Sequence, residues 1–100
     1  MRVHTHPGEV LREEFMIPLG LSANALGRAL DVPPNRITSI IAAVAPRAVT
    51  PDTALMLARA FGNSPEFWLN VQRRTDLWQA LHTPKRRERI EQARALRTVA

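Results

Sequence analysis

Apolar residues return along this chain at spacings of three and four. Val10, Leu11 and Phe15 form a first short stripe, and Leu26, Ala29 and Leu30 a second. Ile37, Ile40, Ile41 and Val44 form a third, and Ala54, Leu57, Ala58 and Phe61 a fourth. A longer fifth stripe holds Phe67, Val71, Trp78 and Leu81, and a sixth, in a more polar tail, holds Ile90, Ala93 and Leu96 or Arg97. This is the period of amphipathic helices. No stretch alternates with period two, and β-branched clusters are sparse, so strands are not expected. The pattern predicts an all-α chain of five packed helices and an additional C-terminal helix.

The breaks between stripes carry start and stop signals. Thr50-Pro51-Asp52 and Ser64-Pro65-Glu66 each read as a capping hydroxyl, a proline at the first helical position and an acid facing the helix dipole. Thr83-Pro84 repeats the start, His6-Pro7-Gly8-Glu9 is a weaker form, and Ser22 caps a helix without proline. Pro33-Pro34 opens another helix. Pro18 and Gly20 are expected to end the first helix, and Gly62-Asn63 the fourth. The organisation expected is one helical domain over residues 1–82 and a basic helical tail over 83–100.

Composition narrows the function. One hundred residues suffice for one modest core. The absence of cysteine excludes disulfides, thiolate metal sites and a cysteine nucleophile, and fits a reducing, cytoplasmic setting. The longest apolar runs are a few residues, which excludes a membrane span, and Met1 to Glu9 has no apolar core of a signal peptide. Fourteen Lys+Arg against nine Asp+Glu give a net charge of +5, and all but one of the cations are Arg. That favours a phosphate-bearing partner. The charge is unevenly placed: residues 1–82 hold eight cations and seven anions, the tail six cations and two anions.

The segment from Leu21 to Ala43 holds the most specific arrangement. Helices over Ser22–Leu30 and Pro34–Ala43 are joined by Asp31-Val32-Pro33, the spacing of a helix-turn-helix whose second helix enters the DNA major groove. Ile37, Ile40 and Ile41 then face inward, leaving Asn35, Arg36, Thr38 and Ser39 outside. Arg suits guanine O6 and N7, Asn suits adenine, and Thr or Ser suits a base or a phosphate. Ser22 and Asn24, at the start of the first helix of the pair, suit a phosphate. Spacing alone leaves open an ordinary αα-hairpin with a solvated polar face.

The chain resembles the HigA/VapI branch of the Xre-type helix-turn-helix proteins, antitoxins of bacterial toxin–antitoxin pairs. The matching residues are His6-Pro7-Gly8-Glu9-Val10-Leu11-Arg12-Glu13-Glu14-Phe15, Pro18-Leu19-Gly20-Leu21-Ser22 and Val32-Pro33-Pro34-Asn35-Arg36-Ile37. They continue through Asp52-Thr53-Ala54-Leu55, Leu57-Ala58-Arg59, Phe61-Gly62 and Ser64-Pro65-Glu66-Phe67-Trp68-Leu69-Asn70-Val71-Gln72. The resemblance implies a five-helix, lambda-repressor-like DNA-binding core, a homodimer, and a palindromic operator upstream of the protein's own operon. It implies a partner toxin too, a small RelE-like ribonuclease that cuts mRNA, and it carries DNA-contact roles to Ser22, Asn24, Asn35, Arg36, Thr38 and Ser39. A solitary Xre-type regulator without a toxin is the alternative.

One segment departs from the family pattern. Where the family has an Asn-Gly turn and a basic residue or two, this chain has Ala42-Ala43-Val44-Ala45-Pro46-Arg47-Ala48-Val49-Thr50, longer and without glycine. The reading helix is expected to run on one more turn before Pro46, leaving Arg47 as the only cation near the groove edge. Phe67, Trp68, Val71 and Trp78, on a helix with aromatics on two faces, are candidates for the dimer seam.

The remaining candidates point to no catalysis and no cofactor. His4 and His6 lack a third ligand and are not read as a metal site. Glu13 and Glu14 diverge by about 100° as helix neighbours and do not form an acid/base pair. His82 is expected at a helix end, solvated or capping. No phosphate-cradling glycine pattern occurs.

Overall fold

In the computed structural model, which describes residues 6–96, the chain is a bundle of six helices. The first, α1, is α-helical over Pro7–Val10, π-helical over Leu11–Met16 and α-helical again over Ile17–Leu19. It is followed by α2 (Ala23–Leu30), α3 (Pro34–Ile40), α4 (Pro51–Phe61), α5 (Pro65–His82) and α6 (Pro84–Glu91). No strand occurs among the described residues.

The capping signals act locally as their chemistry requires. Ser22, Thr50 and Ser64 each accept a backbone N–H three residues on, from Ala25, Thr53 and Phe67. His6 caps with its ring: Nδ1 accepts the N–H of Gly8, two residues on, at 2.9 Å. Gly62 ends α4 in the left-handed conformation at φ 72°. Two expectations need correcting. Pro18 lies inside α1, and Gly20 alone ends it. A proline ring collides with the carbonyl four residues back and offers no N–H, and here it follows a widened turn in which Ile17 N–H reaches Arg12 O. Thr83 does not cap α6 with its side chain. Its hydroxyl donates back to Gln79 O at 2.6 Å, so it closes α5 instead.

The core gathers one face from each of the first five helices. Leu11, Leu26, Ile37, Ile40, Ala54, Leu57 and Trp68 are essentially inaccessible to solvent. Trp68 sits among Phe15, Phe61 and Phe67, with ring centroids at 5.2, 6.4 and 5.1 Å. Its indole N–H donates to Asn63 Oδ1 at 3.0 Å. Trp68 and Val71, expected at the dimer seam, are therefore buried within their own chain and have no surface to offer a second copy. Phe67 is 38% exposed and remains available.

His6 makes the start of α1 sensitive to pH. Burial lowers its pKa below 6.5, only partly offset by the charges of Asp76 and Glu9. Nδ1 accepts a hydrogen bond and must be unprotonated to do so. Between the depressed folded value and 6.5 the unfolded chain binds more protons, so stability falls as pH drops below 6.5 and is fully present above it. Thermal unfolding followed from pH 7.5 downward is expected to show this decline. His6→Asn, which keeps a capping acceptor but does not titrate, should flatten it.

Candidate nucleic-acid interface

The turn between α2 and α3 is held tight by backbone chemistry. Asp31 ends α2 in the left-handed conformation, its N–H bonded to Arg28 O, while Val32 N–H reaches Gly27 O at 2.9 Å. A Cβ on Gly27 would lie 2.8 Å from Val32 O, so the return of the chain over α2 requires a glycine. Pro33 and Pro34 then start α3, and neither brings an N–H that would need a partner. Ile37 and Ile40 anchor α3 in the core, and Asn35 and Thr38 stand on its solvent face, with Arg36 and Ser39 half-buried beside them. The polar face expected from the sequence is thus assembled on one short helix.

Its hydroxyls are already occupied. Thr38 Oγ1 and Ser39 Oγ donate to Asn35 O at 3.1 and 2.6 Å, so each must turn away from the helix to donate to a phosphate. Ser22 Oγ is likewise committed as an acceptor to its cap, leaving its own hydrogen as a donor, and Asn24 is exposed in the first turn of α2. Among the described residues, nothing takes the side-chain donors of Asn35 and Arg36.

The loop after α3 differs from expectation. The helix does not run on toward Pro46 but stops at Ile40, and Val44 is 83% exposed instead of continuing the apolar stripe. Two contacts explain the stop. Arg47 N–H donates to Ser39 O at 2.8 Å, and Gly8 of α1 packs against the Ile40 carbonyl, leaving no room for another turn. The loop reverses through Ala45, a left-handed residue at φ 49° that is not glycine. It therefore folds back along α3 and brings Arg47 beside Arg36, in one shallow cleft with Ile40, Ala48, Thr50, Asp52 and Thr53. Two arginines from separate elements thus line one cleft, together with Asp52 and the N-terminus of α4.

A residue that sequence reasoning did not assign positions this loop. Gln72 of α5 is buried, accepts Val49 N–H on Oε1 at 2.7 Å and donates through Nε2 to Asp76 at 2.9 Å. Nothing in the local pattern marks it, because its partner is 23 residues away. Gln72→Leu keeps the volume but strands the buried Val49 N–H. It is expected to cost about 1–3 kcal/mol in chemical unfolding, and to speed amide exchange at Val49.

The seam candidates on α5 divide. Trp78 is half-buried and stacks on His82, with ring centroids 4.1 Å apart and planes at 12°. The His82 ring also lies 2.8 Å from Trp78 O, so it caps its own helix, one of the two roles expected for it. Leu77 and Leu81, which are 57% and 52% exposed, lie on the same side of α5 as Phe67 and Trp78.

Two short helices joined by a tight turn, the second presenting polar side chains over a buried apolar face, define a helix-turn-helix domain. The helix-turn-helix family model matches residues 11–68. Virulence-associated protein I of Dichelobacter nodosus is 52% identical over 75 residues, covering 75% of this chain and 68% of that protein. An addiction module antidote protein of the HigA family from Coxiella burnetii superposes with a TM-score of 0.80 at 43% identity, over 97% of this chain and 100% of that one. The Pseudomonas aeruginosa antitoxin HigA, solved with the higBA promoter, superposes with a TM-score of 0.81 at 32% identity, over 93% of this chain and 98% of that one. The chain belongs to the Xre-type helix-turn-helix family, in the branch that holds the HigA antitoxins and virulence-associated protein I. This is not a catalytic family.

Proposed function

We propose that this protein is an antitoxin that represses its own operon by binding operator DNA and neutralises a RelE-like, mRNA-cleaving toxin. The observation that carries the DNA-binding half is the polar face of α3 and the cleft beside it, which Arg36 of α3 and Arg47 of the following loop both line. The P. aeruginosa relative solved with its promoter supports the DNA-binding reading as a whole. Asn35 and Arg36 read base edges, while Ser22, Asn24, Thr38, Ser39 and Arg47 contact phosphates. Two copies meet along α5, through Phe67, Leu77, Trp78 and Leu81, whose apolar surface is left partly or largely uncovered by one chain. A dimer of this kind spans two half-sites about 34–36 Å apart.

Arg36→Ala is expected to cost about 1–3 kcal/mol on the operator and to blunt discrimination at one base pair, read by gel shift with single-base variants of the duplex. The toxin half is tested separately by co-expressing the protein with the adjacent small reading frame. Co-purification and loss of that frame's mRNA cleavage are expected. Operator binding without any co-purifying partner would identify a solitary regulator instead.

A further inference from the structure

The face described above is poorly supplied with cations. Between Pro33 and Val49 only Arg36 and Arg47 are charged, and Asp52 lines the cleft they share. Phosphate neutralisation supplies most of a protein's salt-dependent affinity for a duplex, so two guanidiniums beside a carboxylate are a small contribution. The cations are concentrated elsewhere, in α6 and the segment after it.

The structure sorts the charges of α6 by face. Glu88 and Glu91 turn toward the end of α5, lining a shallow recess with Leu81, His82, Pro84 and Arg87. Arg87 is paired there with Glu91 at 3.1 Å. Lys85, Arg86 and Arg89 occupy the opposite arc, within about 100° of one another on the helix. All three are exposed, and none makes an ion pair with a described residue. The helix packs chiefly on α5 and buries no residue of its own. Its outward face carries three exposed positive charges with no acid among them.

We infer that α6 is a second, sequence-independent DNA contact, in which Lys85, Arg86 and Arg89 lie along the phosphate backbone of the duplex that α3 reads. Charge complementarity selects the partner: an acid-free strip of cations at this spacing matches a polyanion, and the protein's proposed ligand is one. The division of labour follows. The helix-turn-helix chooses the site, and the arm supplies affinity without choosing. The inference takes its duplex from the reading proposed above, but the two are separable by experiment.

The test uses the full chain and its triple variant Lys85→Gln, Arg86→Gln and Arg89→Gln, with far-UV circular dichroism to show that helix content is retained. Binding is measured by fluorescence anisotropy on two duplexes of equal length, the region upstream of the protein's own operon and a scrambled version, across a series of salt concentrations. The variant is expected to bind both more weakly by the same factor. Its log K against log salt slope should be shallower by about 0.9 for each phosphate that is no longer neutralised, up to about 2.7 per engaged arm. The ratio of affinities for the two duplexes should not change. Unchanged affinity and slope on both duplexes would overturn the proposed role of the arm, as would a weakening confined to the upstream duplex. If the parent chain fails to distinguish the duplexes, the operator reading falls, and the slope still decides the arm. Should the glutamines perturb the helix, a Lys85→Glu, Arg86→Glu, Arg89→Glu variant must weaken binding further on both duplexes, and equal binding by it would overturn the inference.

Discussion

Trp68→Ala should remove about 3–5 kcal/mol of stability, the largest loss expected from any single truncation in this chain. Its side chain has no exposure and is the largest of the fully buried ones. Truncation leaves Phe15, Phe61 and Phe67 around a cavity and deprives Asn63 of the donor it accepts at 3.0 Å. A domain of this size is stable by about 5–15 kcal/mol, so the variant is expected to be partly unfolded near physiological temperature. Urea unfolding measures the loss directly. Trp68→Phe, which keeps a ring but not the N–H, should cost less than half as much. Equal losses for the two variants would show that the hydrogen bond to Asn63, not ring packing, dominates.

Gly8→Ala should have a comparable effect for a different reason. Helix propensity favours alanine over glycine by about 1 kcal/mol, so a free helix would gain from the change. Here the added Cβ runs into the carbonyl of Ile40, lying 2.7 Å from its carbon, and the obstacle is backbone that cannot rotate aside. The expected cost is about 3 kcal/mol, the upper end for overpacking, and it outweighs the propensity gain. Because Ile40 is the last residue of α3, the displacement should be felt at the reading helix. Operator affinity is expected to fall more in Gly8→Ala than in a core variant of equal instability remote from α3. A neutral or stabilised Gly8→Ala would mean that α1 is not seated against α3.

These two residues also mark what the sequence discloses and what it withholds. Capping is legible because its chemistry is local: Ser22, Thr50 and Ser64 each need only a backbone N–H three residues on, and Gly62 needs only its own φ. The core stripes are legible for the same reason. The end of α3 is not. Ile41 and Val44 keep the helical period, but periodicity says which residues would share a face if the helix continued, not whether it does. It stops because Gly8, 32 positions earlier in the chain, and the Arg47 N–H occupy its end. The bond from Gln72 to Val49 is invisible in the same way. Trp68 shows the remaining limit: a helix with aromatics on two faces announces that one is buried, yet the side on which α1 and α4 close is a tertiary choice.

The candidate site follows the same division. Asn35, Arg36, Thr38 and Ser39 fall on one short helix by spacing alone, whereas the placing of Arg47 in the same cleft as Arg36 depends on a loop whose path only the fold reveals. The hydroxyl bonds from Thr38 and Ser39 to Asn35 O add that half of this face must reorganise on binding.

The most direct measurement of the central proposal is a competition titration at one fixed, near-physiological salt concentration. The labelled duplex carries the palindrome upstream of the protein's own operon, and the unlabelled competitor is either the same duplex or a scramble of it. A sequence-reading helix-turn-helix dimer should prefer its own duplex by at least about 10³-fold. Equal competition by the two duplexes would contradict the assignment of Asn35 and Arg36 to base recognition, and with it the role of this protein as a repressor of its own operon.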